Sequence, residues 1–439
     1  MDFDLSKIKN VHLIGIGGIG ISAVARMMLH DGKVVTGQDM QDGEVVNELR
    51  KVGANITIGQ SYENIPNDTD LIIYTIAIDN YDPELAKKIK ERTDIPVRSY
   101  PQMLDIISLD KYTIAVSGTH GKTTTTAMIA QILRDLKYDP TVIVGSLLVG
   151  DKSNFIAGKS KYFVVEACEY RRSFLNINPK VLVITNIDND HLDYYKDIED
   201  IKSAFHEMAM KVPSDGFVIC NQNDVHIADV VKGINAKIIN WEEYFDKNLI
   251  LKIPGVHNKK DAAAATAAAA ILGISKEDSE NCLKSFPGTW KRFEFRGTLS
   301  NGTLLYDDYA HHPTEIKATL EGFRELYKKV DEWKITVVFQ PHLFSRTKLL
   351  LNDFAKSFTD ADKVLLLPIY YAREEDDGTI SSEILATEIN KQTNNAKAFS
   401  DFENAEKYLK NELKNMNNKN IIVTMGAGEA AKVGDFLQK

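Results

Sequence analysis

Lys122 and Thr123 close the run Gly118-Thr119-His120-Gly121-Lys122-Thr123. The apolar stretch Tyr112 to Val116 precedes it, and a helix-like stretch from Thr124 to Leu136 follows. A strand, a glycine turn with Lys and Thr, then a helix is the arrangement that cradles nucleotide phosphates. Backbone N–H groups of the turn and the positive helix end face the anion. Lys122 adds a mobile positive charge, and Thr123 offers a hydroxyl to a bound Mg²⁺. Gly118, Thr119, His120, Gly121 and Thr124 complete the expected site for ATP or GTP. In the common pattern a glycine stands five positions before the second glycine. Val116 holds that place here, and Gly118 stands only three residues before Gly121, so the loop is a short variant. The plainer alternative is a glycine turn capping a helix with Lys122 solvated; the flanking strand and helix argue against it.

Other residues fit the same chemistry. Glu166 ends the apolar run Tyr162-Phe163-Val164-Val165, where a carboxylate can hold Mg²⁺ beside phosphate oxygens. Asn186, Asp190, His191 and Asp193 cluster after a second run, Val181 to Thr185. Alone, His191 reads as a hydrogen-bonded loop histidine; beside a phosphate loop, a metal or phosphate contact is the better reading. Asn258 precedes an Ala-rich helix and reads as its N-cap, with Asp261 closing an acidic capping box, or else as an adenine or ribose contact. Arg292 suits a phosphate clamp. Adjacent His311 and His312 point different ways, which argues against zinc from that pair. Arg346, after Gln340-Pro341-His342, suits a substrate carboxylate, which its planar fork matches.

A second glycine cluster, Gly15-Ile16-Gly17-Gly18-Ile19-Gly20, follows the run Val11 to Ile16. It is a dinucleotide-type fingerprint in which a pyrophosphate approaches a helix start. Asp39, beyond a second strand, sits where an acid can bond a ribose hydroxyl. Taken alone the cluster suggests NAD, but UDP also carries a pyrophosphate and a ribose.

The elements that must position these groups alternate between strand and helix throughout. The expected fold is α/β in three domains. Residues 1–108 form an N-terminal Rossmann-like domain, 109–296 a central P-loop ATPase-type domain with a mostly parallel sheet, and 297–439 a C-terminal Rossmann-like domain. In the last, Leu304 to Asp307, Ile335 to Phe339, Val364 to Leu367 and Ile421 to Thr424 read as strands. A length of 439 residues and a hydrophobic content of 44% allow each domain a core. The formal charge of −9 argues against broad nucleic-acid binding, so anionic ligands must be attracted locally. Three cysteines, Cys168, Cys220 and Cys282, form no metal spacing or disulfide framework and fit a reduced cytoplasmic protein. No signal-peptide pattern and no bilayer-length apolar run is present.

In this order, the motifs resemble those of the muramyl ligases, which extend the peptide of bacterial cell-wall precursors. The resemblance spans nearly the whole chain. It rests on the cluster at 15–20, Gly118 to Thr123, Glu166 to Arg172, Thr185 to Asp193, His257-Asn258, Arg292-Phe293-Glu294, Asp307 to Pro313 and Gln340 to Thr347. The last two segments point to the alanine-adding branch and its recycling cousin, which attaches a preformed tripeptide. The resemblance implies that the first domain binds a UDP-sugar through Gly15, Gly17, Gly18, Gly20 and Asp39, the second ATP, and the third the amino acid. Lys122 and Thr123 would hold the β/γ-phosphates and Mg²⁺. Thr123, Glu166 and His191 would serve the metal sites, and Asn258, Arg292 and Asp308 the nucleotide. Tyr309, His311, His342 and Arg346 would lie near the amino acid, with His342 guiding the amine proton.

The implied reaction is ATP-dependent amide formation between L-alanine and the lactyl carboxylate of UDP-N-acetylmuramate through an acyl phosphate. Lys122, Glu166, His191 and His342 are the expected catalytic residues, ATP and Mg²⁺ the cofactors, and a monomer or weak homodimer the state, with no nucleic-acid or membrane partner. Two departures stand out: Asp261 replaces a frequent Asn, and Lys202 and His206 occupy the region where some branches carry a carbamylated lysine, which is not expected at either. A nicotinamide-dependent dehydrogenase would leave Gly118 to Thr123 unexplained, and a non-catalytic ATP-binding regulator would leave the metal candidates idle.

Overall fold

The computed structural model describes residues 3–149, 152–371, 374–416 and 418–438. Three sheets carry the fold. In the first, β1 (Asn10–Ile14), β2 (Val34–Asp39), β3 (Asn55–Ile58), β4 (Leu71–Tyr74) and β5 (Val97–Ser99) run in the order β3-β2-β1-β4-β5, every pair parallel. Val11 to Ile14 and Leu71 to Tyr74 are buried throughout, as expected of parallel strands covered on both faces. Strand order reverses at β1, where β2 lies on one side and β4 on the other. A crevice opens there, outside the carboxyl ends of the strands, and Gly15 to Gly20 lie at that point. Gly18 caps the helix Ile19–His30.

The second sheet contains β6 (Tyr112–Ser117), β7 (Thr141–Leu148), β8 (Ser153–Ile156), β9 (Tyr162–Glu166), β10 (Val181–Ile184), β11 (Phe217–Cys220) and β12 (Lys237–Asn240). Its order is β12-β11-β10-β6-β9-β7-β8, with only β7 and β8 antiparallel. Strand β6 is central, and its register places Val116 beside Glu166 and Ser117 beside Ile184. The turn after β6 is thereby flanked by the polar ends of β9 and β10.

The third sheet contains β13 (Glu294–Thr298), β14 (Leu304–Asp308), β15 (Lys334–Phe339), β16 (Lys363–Leu366), β17 (Ala396–Ala398) and β18 (Asn420–Met425), in the order β13-β14-β18-β15-β16-β17. Only β13 is antiparallel to its neighbour. The expected boundary at 296/297 falls inside β13. The Ala-rich helix spans Val256–Ile271. It starts three residues earlier than the sequence suggests, so Asn258 lies in its first turn and is not its N-cap. The Asn258 amide instead donates to the Pro254 carbonyl at 2.5 Å. Among the described residues no helix is long and apolar enough to cross a membrane.

The chain forms two compact units: Met1–Leu249 with Lys260–Phe286, and Ile250–Lys259 with Pro287–Lys439. The first two sheets share the first unit, and the reason is visible in their packing. One core runs through both, from Val11 and Val24 to Phe163 and Leu182. The helix Ile19–His30 packs on β7 and β8. Asn154 in β8 is fully buried; its amide donates to Ser22 Oγ at 2.9 Å and to the Ile19 carbonyl. Truncation leaves the buried Ser22 hydroxyl and the partly buried Ile19 carbonyl without their Asn154 partner. Asn154→Ala is therefore expected to lower the stability of the first unit by about 1–3 kcal/mol, measured by urea denaturation followed through Trp241.

Candidate active site

The turn after β6 is built so that only glycine fits at its two key positions. Gly118 has φ +131°, and a Cβ there would meet Thr185 Oγ1 at 2.0 Å. Gly121 has φ +80°, and a Cβ there would meet Asp261 Oδ1 at 2.3 Å. Asp261 therefore packs against the phosphate loop. The loop is fastened to the end of β10. The Thr119 N–H donates to the Asn186 carbonyl at 3.1 Å, the His120 N–H to Asn186 Oδ1 at 2.9 Å, and Thr185 Oγ1 to the His120 carbonyl at 2.5 Å. His120 Nε2 lies 3.2 Å from Asp188 Oδ2. The helix Lys122–Asp135 starts at once, so the N–H groups of its first turn face the mouth of the loop. Thr123 and Thr124 are buried in that turn.

Lys122 is held by its own loop and by an acid that motif reading passes over. Its Nζ donates to the carbonyls of Gly118 and Thr119 at 2.5 and 2.9 Å, and to Glu169 Oε1 at 2.9 Å. The two side chains are 13% and 3% exposed, which makes this a buried ion pair. Burial pulls the ammonium down, but Glu169 and Glu166 outweigh it and hold Lys122 above the ordinary lysine range. Glu169 Oε2 is buried with no hydrogen-bond partner among the described residues. His191 Nε2 lies 3.7 Å from Glu169 Oε1, and His191 Nδ1 is buried without a hydrogen-bond partner among the described residues. Glu166 turns toward β7, where its Oε2 accepts the Gly145 N–H at 2.6 Å. Glu166 and Glu169 follow one another at the end of β9 and Thr123 lies in the first turn of the helix after β6; carboxylate and hydroxyl oxygens are the donor types a hard cation takes. Imidazole nitrogen is the weaker Mg²⁺ ligand of the set. The signal for Glu169 was its place three residues after Glu166 in the same strand-end turn.

Lys202 is an ammonium between two acids, with Nζ at 3.0 Å from Glu199 and 2.8 Å from Asp229. Those contacts raise its pKa, against the neutral amine that carbamylation requires. His206 Nδ1–H donates to the Val230 carbonyl at 2.8 Å and is likewise part of local packing.

At the first sheet, Gly15 has φ +73° and faces Thr75 and Tyr81, whose Oη would lie 3.4 Å from a Cβ placed on Gly15. Gly20 is covered by the Tyr100 ring, 2.8 Å from where a Cβ would be. Asp39 Oδ2 accepts the Gly17 N–H at 2.8 Å. In this state one oxygen of Asp39 shapes the loop, a duty the sequence had not suggested alongside ribose contact.

In the second unit, Asp308 is buried and ties two segments together. It accepts the Phe293 N–H at 2.7 Å and the Ala310 N–H at 2.8 Å. Burial pushes its carboxyl up to about 6, against Arg292 and those two N–H groups, which favour the charged form. The Arg292 guanidinium lies over the Tyr309 ring at 5.1 Å and 3.9 Å from Glu315. His311 Nδ1 lies 3.3 Å from the same Glu315, a second acid that the motif reading missed. His311 and His342 rings are 6.2 Å apart. Arg346 is only 9% exposed, and its Nη1 lies 3.3 Å from His342 Nδ1. The His342 ring stacks on Tyr370 at 5.5 Å. Tyr309, His311, His342 and Arg346 therefore gather at the carboxyl ends of β14 and β15. Leu343 between them has φ +73°, a costly conformation for a branched side chain.

Two nucleotide-type loops at sheet reversals, one short and lysine-tipped, with acids at the neighbouring strand ends, define a phosphate-activating enzyme of the α/β class. Residues 10–112 match the Mur ligase family, catalytic domain; 116–248 the Mur ligase middle domain; and 291–428 the Mur ligase, glutamate ligase domain. The UDP-N-acetylmuramate–L-alanine ligase of Caldanaerobacter subterraneus subsp. tengcongensis is 40% identical over 100% of this chain and 99% of its own. That of Clostridium acetobutylicum is 41% identical over 100% of each. The crystal structure of the UDP-N-acetylmuramate-alanine ligase of Thermotoga maritima superposes with a TM-score of 0.79 at 27% identity, covering 98% of both chains. A murein peptide ligase of Psychrobacter arcticus shares the fold, with a TM-score of 0.71 at 24% identity. The chain belongs to the Mur ligase family.

Two outcomes follow from the buried acids. Glu169→Ala strands the Lys122 ammonium and is expected to destabilise the first unit by about 3 kcal/mol. Adding Lys122→Met to it should recover part of that loss, because no unpaired charge remains; urea denaturation read through Trp241 compares them. Asp308 has a folded pKa above its unfolded value, so its contribution to stability is complete below about 4 and disappears as pH rises through about 6. Asp308→Asn does not titrate. The stability gap between wild type and Asp308→Asn should favour wild type by about 3 kcal/mol more at pH 4 than at pH 7, read through Trp290 and Trp333.

Proposed function

We propose that this chain is an ATP-dependent ligase that joins L-alanine to the lactyl carboxylate of UDP-N-acetylmuramate, a step of peptidoglycan precursor synthesis in the cytoplasm. The observation that carries this is the pairing, within one unit, of a lysine-tipped phosphate loop at one sheet reversal with a second glycine loop at another. One suits a triphosphate and the other the diphosphate of a sugar nucleotide. The named relatives, similar over their full length, support the choice of substrates. Residues 1–108, 109–296 and 297–439 are assigned the UDP-sugar, ATP and amino-acid duties.

A carboxylate oxygen of the sugar acid attacks the γ-phosphorus of ATP, the bond to the β-phosphate oxygen breaks, and ADP leaves. The neutral amine of L-alanine attacks the acyl phosphate carbon. Its C–O bond then breaks, phosphate leaves, and the amine gives up a proton. Both reacting partners are anionic, so positive charge must meet the transferring phosphoryl group. Lys122 is the residue assigned to it, leaving Glu169 for the phosphates. Gly118 to Thr124 supply N–H donors, and Asn258, Arg292 and Asp308 are assigned to the nucleotide. Thr123, Glu166 and His191 are the proposed Mg²⁺ holders, with Glu169 as an added oxygen donor; the ion when bound neutralises phosphate charge. Arg346 takes the alanine carboxylate. His342, whose Nδ1 lies 3.3 Å from Arg346 Nη1, is assigned to guide the amine proton.

Release of phosphate from ATP, measured with UDP-N-acetylmuramate and each of L-alanine, L-serine, glycine and tripeptide, tests the reading. Turnover is expected with alanine and only when all partners and Mg²⁺ are present; no conversion of ATP to ADP under those conditions would overturn it. Lys122→Ala should reduce turnover by a factor of about 10³ or more while UDP-sugar binding, titrated calorimetrically, stays within twofold.

A further inference from the structure

The turn after β9 holds two successive residues in the left-handed region, neither of them glycine: Arg171 at φ 51°, ψ 31° and Arg172 at φ 56°, ψ 24°. Each such residue carries a steric cost, so the turn persists only because its surroundings over-determine it. The restraints are visible. The Arg172 N–H donates to the Glu169 carbonyl and the Phe174 N–H to the Cys168 carbonyl, at 2.9 and 3.0 Å. Tyr195 Oη donates to the same Glu169 carbonyl at 2.5 Å. The Arg172 guanidinium is clamped between Asp200 and Glu207, each at 2.9 Å.

Arg171 is treated differently by the same turn. It is half-buried, and among the described residues no carboxylate pairs with it. Its guanidinium lies 5.7 Å from the Tyr170 ring and reaches across to the first sheet, where Nη2 donates to Asn80 Oδ1 at 2.7 Å. Asn80 belongs to the short helix Ile78–Tyr81 that follows β4, on the far side of the sheet reversal from β2. The next residue, Tyr81, is one of the two that cover Gly15. A strained turn beside the phosphate loop thus carries a cation to the edge of the other glycine loop and parks it on a neutral oxygen.

The glycine loop needs such a cation. Gly15-Ile16-Gly17-Gly18-Ile19-Gly20 contains no basic residue, and the acid beside it, Asp39, already occupies the Gly17 N–H. A diphosphate held there by backbone dipoles alone lacks a neutralising charge. A guanidinium bonds a phosphate oxygen more strongly than an amide oxygen, and bidentately. We propose that Arg171 is a substrate-binding residue: it exchanges Asn80 for the diphosphate of the sugar nucleotide, so that the segment bearing Glu166 and Glu169 grips the substrate held by the first sheet. This rests on the sugar-nucleotide reading above. It also accounts for the strain, which aims one arginine out of the turn while its neighbour anchors the turn in place.

Calorimetric titration of UDP and of UDP-N-acetylmuramate into wild type, Arg171→Ala, Arg171→Gln, Asn80→Ala and the Arg171→Ala/Asn80→Ala pair tests this. Arg171→Ala is expected to weaken both ligands about tenfold or more, with ATP binding unchanged within twofold as the control for folding. Arg171→Gln keeps a donor for Asn80 but no charge, and should lose the same affinity. Asn80→Ala should bind as wild type or tighter, since a competitor for the guanidinium is gone. UDP affinity within twofold of wild type in Arg171→Gln would overturn the proposal. So would a loss seen with UDP-N-acetylmuramate but not with UDP, which would move the contact to the carboxylate. Equal, non-additive losses in Arg171→Ala and Asn80→Ala would reduce the contact to a structural tie. If wild type itself binds neither ligand, the sugar-nucleotide reading fails first and this proposal with it.

Discussion

The buried pairing of Lys122 with Glu169 is the contact on which the phosphate-binding end of this protein depends. A lysine at the start of a helix, shielded from water, has the adverse dipole of that helix start to contend with as well as its own desolvation. Two loop carbonyls and one carboxylate offset both. In return the lysine closes the glycine turn from inside, bonding its first two carbonyls, so the loop keeps its shape without a phosphate in it. The acid must then be placed accurately, and the protein does this with a turn of high local cost, two consecutive left-handed arginines, fastened by Tyr195, Asp200 and Glu207.

The same economy of placement recurs at each sheet. Parallel strands direct their carboxyl ends to one edge, and strand order reverses where a crevice is left open. At β1 the crevice receives a glycine loop, and at β6 the lysine-tipped loop with β9 and β10 on either side. In the second unit the ends of β14 and β15 bring Asp308, Tyr309, His311, His342 and Arg346 to a common edge. Buried acids are handled in two ways. Glu169 faces a full positive charge and stabilises it. Asp308 is buried, and that burial pushes its carboxyl up to about 6 because it outweighs the Arg292 guanidinium and the N–H groups of Phe293 and Ala310.

Packing also explains why three sheets make only two compact units. The helix Ile19–His30 belongs by chain order to the first sheet, yet it lies against β7 and β8 of the second, locked by the amide of Asn154. Two expected domains therefore share a continuous core, and the crevices of both sheets belong to one body. That sharing is what allows a residue of the second sheet's turn, Arg171, to contact Asn80 beside the first sheet's glycine loop.

Much of this was legible in the chain alone, where local rules are strong. Leu71–Tyr74 and Tyr162–Glu166 were readable to the residue, because a fully apolar run bounded by polar residues has little choice in a parallel sheet. The glycine loops were readable because a positive φ and a close approach admit no other residue. Helix starts were less so: the Ala-rich helix begins at Val256, since nothing in the dipeptide His257-Asn258 reveals that Pro254 will accept the Asn258 amide. Tertiary structure alone decided the partners of the acids. Glu169 and Glu315 look like ordinary surface carboxylates in sequence and Asp261 like the close of a capping box; their placement against Lys122, beside Arg292 and His311, and against Gly121 depends on strands and helices far away in the chain. The sequence by itself determined which backbone shapes were possible and which chemistry was available; the fold decided which charges meet, because Coulomb energy depends on distance and burial, and neither exists until the chain has packed.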